Sequence, residues 1–385
     1  MAAFPGVDEG DYLEDGLGSP KNCIWIMGEE SMKKKKRKVL KVFLIIIMLP
    51  FIFIIMLMIF GNGKLMLPVE KKEAFELSID GASYAQELAV EDGMIVNEQG
   101  KPVVLQGLMV PEARRLNQED KFNEEYFEEV FACGGNVIRV PVHPEAWEQD
   151  EYYLWRYLDP IVEWAVKNNK YVILDLHFIG NIESGKGDEM PNIKTEPMVF
   201  SVAFWELVAG YFKEVPNVIF EIYNEPALVD NKTWSQSAQL LVDTIRDTGA
   251  KQLIIVSGTE YSYDLSYWAK APMQESNIVY AAHIFPNRKK GLQILDEISD
   301  DIPVIVTEWG YISNEEPAKQ DYLTGGRDDY GLPMLQLMER KGISWVACWY
   351  DDNWEPPMFC KNSNDKTDWG ELILGYLSDS KDREN

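Results

Sequence analysis

Histidine is scarce in this chain, with three residues in 385. None stands in an H-x-H or H-E-x-x-H pair, so the closely spaced ligands of a metal-dependent hydrolase are missing. Cysteine is nearly as rare: Cys23, Cys133, Cys348 and Cys360, with no C-x-x-C pair. That argues against a zinc ribbon or a thioredoxin-type centre. Cys348 and Cys360 are either bonded, in an oxidising compartment, or two free thiols. Positive charge is outnumbered, 37 Lys and Arg against 63 Asp and Glu, for a formal net charge of −26. Such a balance repels nucleic acid and anionic surfaces and favours a neutral or cationic ligand. No nucleic-acid partner is expected, and no metal or organic cofactor is implied.

The chain is 46% apolar and 12% aromatic, and its length suits one large α/β domain with appendages. One stretch stands apart. "KKKKRK", Lys33 to Lys38, precedes an apolar run, Val39–Phe60, in which the 19 residues from Val42 onward carry no charge. A bilayer requires ~20 such residues. Pro50 is tolerable within a membrane helix. The basic cluster on the N-terminal side places the N-terminus in the cytoplasm. A cleaved signal peptide is the competing reading, but no small-residue cleavage site follows closely. Met1 to Met32, rich in Gly, Pro and acidic residues, reads as a disordered tail. The expected organisation is a cytoplasmic tail over 1–38 and a single transmembrane helix over 39–60. A juxtamembrane linker over 61–91, a globular domain over 92–378 and a short tail over 379–385 follow. The chain is then a single-pass membrane protein with its globular domain on the extracellular or lumenal side.

Within that domain one pattern repeats: a short apolar run, a polar loop, an amphipathic helix. The runs are "PVVLQG" from Pro102, "NVIRV" from Asn136, "YVILDL" from Tyr171, "VIFEI" from Val218, "LIIV" from Leu253, "IVYAA" from Ile278, "VIVT" from Val304 and "SWVAC" from Ser344. They are rich in β-branched residues, as buried parallel strands are. Helical patterns separate most of them, such as Trp155–Asn168, Val199–Phe212 and Trp234–Asp247, each followed by a turn signal. Eight strand–helix units predict an α/β fold, the (β/α)8 TIM barrel. A doubly wound sheet competes, but the Gly-rich turn after its first strand is absent. "GMIVNEQGKP" from Gly93 predicts a hairpin closing the bottom of the barrel.

Barrels of this kind carry their chemistry at the C-terminal ends of the strands. Arg139 lies within the second run, with His143 just after it. His177 follows the third, Asn224 and Glu225 end the fourth, His283 ends the sixth, Glu308 the seventh, and Trp349 follows the eighth. All three histidines therefore fall at one rim.

"YNEP" after the fourth run and "TEWG" after the seventh resemble the two signatures of glycoside hydrolase family 5, which includes cellulases and mannanases. "VIRVPV", "VILDLH", "IIVSGTEYSYDL", "YAAH" and "SWVACW" are also similar, and the resemblance covers roughly residues 92–378. It implies a retaining mechanism with Glu225 as acid/base and Glu308 as nucleophile. Arg139 would hold Glu308 ionised, and Asn224 would bind the sugar 2-hydroxyl. His177, His283, Trp349 and Tyr261 would line the substrate site. The implied partner is a polysaccharide or oligosaccharide, with β-1,4-glucan first and mannan second.

One position departs from the family's His-x-Tyr after the sixth strand: here the run is "HIF", so Phe285 stands for the tyrosine. Tyr261 or Tyr350 would then supply the hydroxyl. Glu221 shares a face with Glu225 but lies deeper, and reads as a buried partner for a cation or hydroxyl. His143 is either a ligand contact or a rim histidine satisfied by its neighbours. Trp164 and Trp205 read as core, Trp309 as packing, Trp349 as the best candidate for stacking on a sugar, and Trp268 and Trp354 as loop aromatics that are weaker candidates. Asn231-Lys232-Thr233 is a glycosylation sequon only in a host that glycosylates. The rivals to an anchored endo-β-glycanase are a metal-dependent barrel hydrolase and a non-catalytic carbohydrate receptor on a hydrolase fold.

Overall fold

Eight parallel strands form: β1 (Gln106–Met109), β2 (Val137–Val142), β3 (Tyr171–Leu176), β4 (Val218–Glu221), β5 (Ile254–Ser257), β6 (Ile278–Ile284), β7 (Val304–Trp309) and β8 (Ser344–Ala347); seven follow the apolar runs, and β1 starts at the end of its run, after residues 103–105. In this computed structural model, which describes residues 48, 67–78, 83–187, 189–288, 290–315 and 318–384, they close in sequence order into one barrel. All residues of β2 to β8 are buried, because side chains fill the inside and helices cover the outside. The expected anchor, Val39–Phe60, lies outside the described residues except for Met48, as does all of the chain before it. Among the described residues no helix is long and apolar enough to cross a membrane.

The outer layer includes α1 (Glu124–Ala132), α2 (Asp159–Lys167), α3 (Pro197–Phe212), α4 (Asn231–Asp247), α5 (Gly291–Ile298), α6 (Leu332–Lys341) and α7 (Asp368–Glu384). Caps set several boundaries. Asn123 accepts from the Tyr126 amide at 2.9 Å, and Asp230 accepts from the Thr233 amide at 2.9 Å. Asn231 of the sequon opens α4, and its side chain accepts from the Thr259 hydroxyl at 2.7 Å. α6 ends at Gly342 with φ of 65°, the left-handed stop that glycine supplies. The helix expected over Trp155–Asn168 is divided. Leu154–Leu158 is a π-turn leading into α2, because Pro160 has no amide proton to continue the α-helical ladder.

Three boundaries differ from expectation. The hairpin pairs Leu88–Glu91 with Met94–Asn97 around Asp92-Gly93, whose φ values of 48° and 76° fit a type I′ turn. "GMIVNEQGKP" is its second half, and only a bridge from Val96 to Pro102 extends it downstream. Its buried Leu88 and Ile95 join the strand-start residues Val137, Tyr171, Ile219 and Leu253 in one core cluster, so it does close the barrel bottom. Part of the expected linker is docked. Phe75 packs on Tyr211 and Phe212 of α3, its amide donating to the Tyr211 carbonyl at 3.1 Å, and Lys72 pairs with Asp159 at 2.9 Å. The unit accordingly begins at Leu67. At the other end α7 continues to Glu384, past the expected limit at 378.

Barrel closure demands close backbone approach at Gly107 in β1, where an added Cβ would lie 1.7 Å from the Val137 carbonyl oxygen. No rotamer relieves a clash with backbone. Gly107→Ala is expected to destabilise the fold by about 3 kcal/mol or more, measured by urea unfolding. Gly249→Ala, where nothing lies within 4 Å of the added carbon, tests the left-handed strain without a clash and is expected to lose less.

Candidate active site

One buried cation organises the C-terminal rim. Arg139 projects from β2 and is fully buried. Its Nε donates to Glu221 at 2.5 Å, its Nη1 to Glu308 at 2.7 Å, and its Nη2 to the Asn224 side-chain oxygen at 2.7 Å. Asp175 of β3 stands 3.1 Å from the same Nη2. Three carboxylates raise the guanidinium's affinity for its proton further, so it stays charged despite burial. Glu221 is thus the buried partner of a cation, as read from the sequence.

The stretch "IFEIYNEP" divides at this point. β4 ends at Glu221, and the backbone then turns toward β3. The amides of Asn224 and Glu225 donate to the Leu176 and Phe178 carbonyls at 3.1 and 2.9 Å. A second, two-residue ladder pairs Glu225-Pro226 with Ile179-Gly180. The amide and the carboxylate stand side by side because this extra ladder carries the strand end out over the barrel mouth.

A β-bulge aligns the opposite side. Ala282 pairs with Val306 but His283 pairs with Glu308, so β7 holds one extra residue, Thr307. The bulge brings His283 level with Glu308. His283 Nδ1 lies 2.7 Å from a Glu225 oxygen and 3.8 Å from Glu308, and its Nε2 lies 3.1 Å from the Thr307 hydroxyl. Burial pushes the Glu225 carboxyl up to about 8 and the His283 ring down to about 4. The shared proton therefore belongs to Glu225, which donates to Nδ1, while Nε2–H donates to Thr307. Oxygens of Glu225 and Glu308 and Nδ1 of His283 all lie within 4.8 Å of one another. That set has the atoms of a metal site, but its electrostatics are those of an acid pair. Glu308 already carries the guanidinium, and a metal ion would stand beside that positive charge.

The acids open into a cleft of about 700 Å³. His177, Trp349, Asn224, Glu225 and Glu308 line it, as expected, and His283 is buried immediately behind Glu225. His143 also lines it, in parallel contact with His177 at 4.9 Å between ring centroids and with Trp354 at 5.4 Å. Burial lowers the affinity of both His143 and His177 for protons, the latter to about 3, so this stack is neutral. Trp354, expected as a loop aromatic and a weaker candidate, lies at 87° to Trp349 with centroids 4.7 Å apart and lines the cleft. Its amide donates to Asp351 at 2.8 Å, and Arg115 covers its ring at 4.5 Å.

Tyr261 is not among the cleft residues. The loop after β5 folds back on itself through reciprocal Thr259–Asp264 backbone bonds, with left-handed φ at residues 260 to 262, and the Tyr261 ring lies against Arg288 at 5.9 Å. Tyr350 packs against Tyr126 and Phe359 in a separate cavity. The aromatic hydroxyl in the cleft is that of Tyr322, on a short turn after β7, packed against Phe285 at 5.4 Å. Its phenol is held protonated by burial and by the nearby Glu225 and Glu308. Trp268 is behind the wall, bonded to the Ser257 carbonyl, and Trp309 is packing against Trp345 and Trp369. Cys348 is a buried free thiol and Cys360 an exposed one, so the two are not bonded.

The family model for cellulase (glycosyl hydrolase family 5) matches residues 96–353. An endoglucanase of Clostridium saccharobutylicum is 26% identical over 275 residues, covering 69% of this chain and 57% of that protein. Endoglucanase 5 of Pectobacterium carotovorum subsp. carotovorum is 28% identical over 280 residues, covering 68% and 49%. The chain thus spans about half the length of the curated relatives it matches. Among solved structures, a β-glucanase of Saccharophagus degradans in complex with cellotetraose superposes with a TM-score of 0.74 at 23% identity, over 82% of this chain and 98% of that one. The catalytic domain of Thermobifida fusca endoglucanase Cel5A gives 0.64 at 20% identity, over 76% and 97%. At these identities the structures share the fold.

The raised Glu225 carboxyl has a stability consequence. Between its ordinary 4.5 and about 8, the folded chain holds a proton that the unfolded chain has released. Stability therefore falls as pH rises through that window. Asp175, raised by burial from 3.8 to about 7, acts in the same direction. Glu225→Gln keeps a neutral donor toward His283 and removes the titration. It is expected to be more stable than the wild type by about 1–3 kcal/mol at pH 8, with the gap closing toward pH 5, in urea unfolding at each pH.

Proposed function

This chain belongs to glycosyl hydrolase family 5, and from that premise we propose that it is a retaining endo-β-1,4-glucanase. The observation that carries the reading is the acid pair: carboxyl oxygens within 4.8 Å, one acid held neutral and the other held against a guanidinium. A retaining glycosidase uses carboxyl groups about 5–5.5 Å apart, whereas an inverting one needs about 6.5–9.5 Å to admit a water. In the proposed reaction Glu308 attacks the anomeric carbon while Glu225 gives its proton to the leaving oxygen. The C–O bond to the leaving sugar breaks as the glycosyl–Glu308 ester forms. Water then enters, Glu225 takes its proton, and the ester is released with the original anomeric configuration.

Supporting residues follow from the geometry. Arg139 donates to Glu308 and fixes the carboxyl that attacks. Asn224, whose oxygen is held by Arg139, has a buried side-chain NH2 without a partner, and we assign it to the sugar 2-hydroxyl. Trp349 and Trp354 offer the apolar faces on which a pyranose stacks. Tyr322 takes the hydroxyl role that Phe285 lacks. The acids lining the cleft, among them Glu145, Glu189 and Glu355, favour a neutral polymer over a uronate-rich one. The endoglucanase relatives and the cellotetraose-bound neighbour support β-1,4-glucan as the substrate class. We further propose that Val39–Phe60 anchors the chain in a membrane with its N-terminus cytoplasmic and residues 92–378 outside. The basic run before the apolar segment supports that topology.

The test follows the anomeric proton by NMR during digestion of cello-oligosaccharides, mixed-linkage glucan, xylan and mannan oligosaccharides. The β-anomer is expected first, from cello-oligosaccharides and mixed-linkage glucan, and Glu308→Gln is expected to lower kcat about 1,000-fold or more with binding retained. First appearance of the α-anomer would overturn the retaining assignment, and cleavage of mannan alone the substrate. Binding without cleavage by the wild type would make the chain a carbohydrate receptor.

A further inference from the structure

Asp175 was read from the sequence only as part of a buried strand. The structure gives it two partners that both face the site. It is fully buried on β3, and one oxygen, Oδ2, lies 2.6 Å from Nδ1 of His177 and 3.1 Å from Nη2 of Arg139. The other oxygen, Oδ1, is buried without a partner. An oxygen that accepts from two nitrogens is placed for the ionised carboxylate, and a proton on Oδ1 would have nothing to bond. His177 lines the cleft with about a tenth of its side chain exposed, and its ring is clamped by His143 on one face and by the edge contact with Trp349.

We propose that Asp175 is the positioning residue of the site: it holds Nδ1–H of His177, so that a bare Nε2 faces the cleft as an acceptor for a sugar hydroxyl, and it shares Arg139 with Glu308. The proposal rests on the glycosidase reading for its substrate but not for its tautomer. His177 stays neutral throughout, so its face toward the sugar is set by which nitrogen carries the single proton, and Asp175 makes that choice. A protonated Asp175 would reverse it, donating to Nδ1 and leaving Nε2–H toward the cleft. Burial raises the Asp175 carboxyl to about 7, so the ionised arrangement is complete in mildly alkaline solution.

The same charge reaches the acid pair. The groups around Asp175 are Arg139 from β2, His143 beyond it, His177 on its own strand, Glu221 and Glu225 from the end of β4, His283 from β6 and Glu308 from β7. Arg139 is the cation of that set, the three histidines are neutral, and Glu225 also feels Arg288, which favours its ionised form, and Glu189, which opposes it. Ionised Asp175 therefore draws on the one positive charge that otherwise serves Glu308, and it helps to keep the Glu225 proton in place. Removing its charge leaves Arg139 less neutralised and Glu225 easier to ionise.

With three histidines in the chain, the test is direct. The full chain is labelled with 15N at histidine, and ring nitrogen shifts are recorded at pH 8.5, with His143→Gln and His283→Gln to assign the three rings. The proton of His177 is expected on Nδ1 and absent from Nε2, and this readout is independent of activity on any glycan. A proton on Nε2 would overturn the proposal. In the second arm Asp175→Asn is compared with wild type on cello-oligosaccharides. Its alkaline limb of kcat/KM is expected to move to lower pH, and Asp175→Ala, which also removes the acceptor for Nδ1–H, is expected to raise KM about tenfold, the loss of roughly one hydrogen bond. A folded variant with an unmoved limb, or a loss that falls on thermal stability alone, would overturn the coupling. If wild type cleaves no glycan while His177 carries its proton on Nδ1, the substrate reading fails and the assignment of Asp175 to the histidine stands.

Discussion

One guanidinium holds this site together. Arg139 is buried in the barrel mouth with carboxylates on three sides and an amide on the fourth. No single cation neutralises three carboxylates in a dry interior, so the cluster is held by geometry and hydrogen bonding as much as by net charge. Each contact has a separate consequence. Glu221 anchors the arginine in depth, Glu308 receives its charge at the reacting position, Asn224 is aimed by it, and Asp175 divides it with the histidine stack. Loss of Arg139 would leave buried charges uncompensated, a change of about 3–5 kcal/mol, so that fold and chemistry fail together.

The barrel makes such sharing possible because eight strand ends converge on one rim. β2, β3, β4, β6 and β7 each deliver a polar side chain to within hydrogen-bond reach of another strand's. Two local irregularities refine the convergence. The bulge at Thr307 makes His283 level with Glu308 and supplies the hydroxyl that orients the ring. The extra ladder after β4 places Glu225 over the mouth instead of inside it. Regular strands alone would have put these groups at the wrong height, which is why the departures from regularity coincide with the chemistry.

The strands were legible in the sequence because they obey periodic rules, which also put Arg139, Glu225 and Glu308 at one rim, while the resemblance singled these three out. Buried parallel strands read as continuous β-branched runs, and residues at their C-terminal ends are constrained to the rim. Tyr322 was not legible as a site residue and Trp354 only weakly so, since both sit on long loops after β7 and β8 whose paths depend on tertiary contacts. Tyr261 depends on the same kind of contact: its sequence neighbourhood resembles the family, but the Thr259–Asp264 clasp sets the path of its loop, and it is not among the residues that line the cleft. Asp175 was hidden differently. An acidic residue inside "VILDL" breaks an apolar run, which is a signal, but the sequence does not say which of its neighbours it will serve.

The electrostatic character of the cleft follows from what burial does to each group. Burial removes charge from the histidines and keeps a proton on Glu225. Next to Arg139 the same burial preserves charge, because a cation among carboxylates gains more from its partners than it loses in hydration. The result is a divided surface. One wall, made of His143, His177, Trp349 and Trp354, is uncharged and flat-faced, and the floor holds one acid that keeps its proton and one bonded to the guanidinium. On the proposed reading, a neutral sugar chain would meet apolar stacking on the wall and directed hydrogen bonds at the floor, whereas an anionic chain would meet the rim glutamates first and be repelled. Selectivity for neutral polymer would then lie in the long-range field, and the orientation of each sugar in contacts that operate only once water has been excluded.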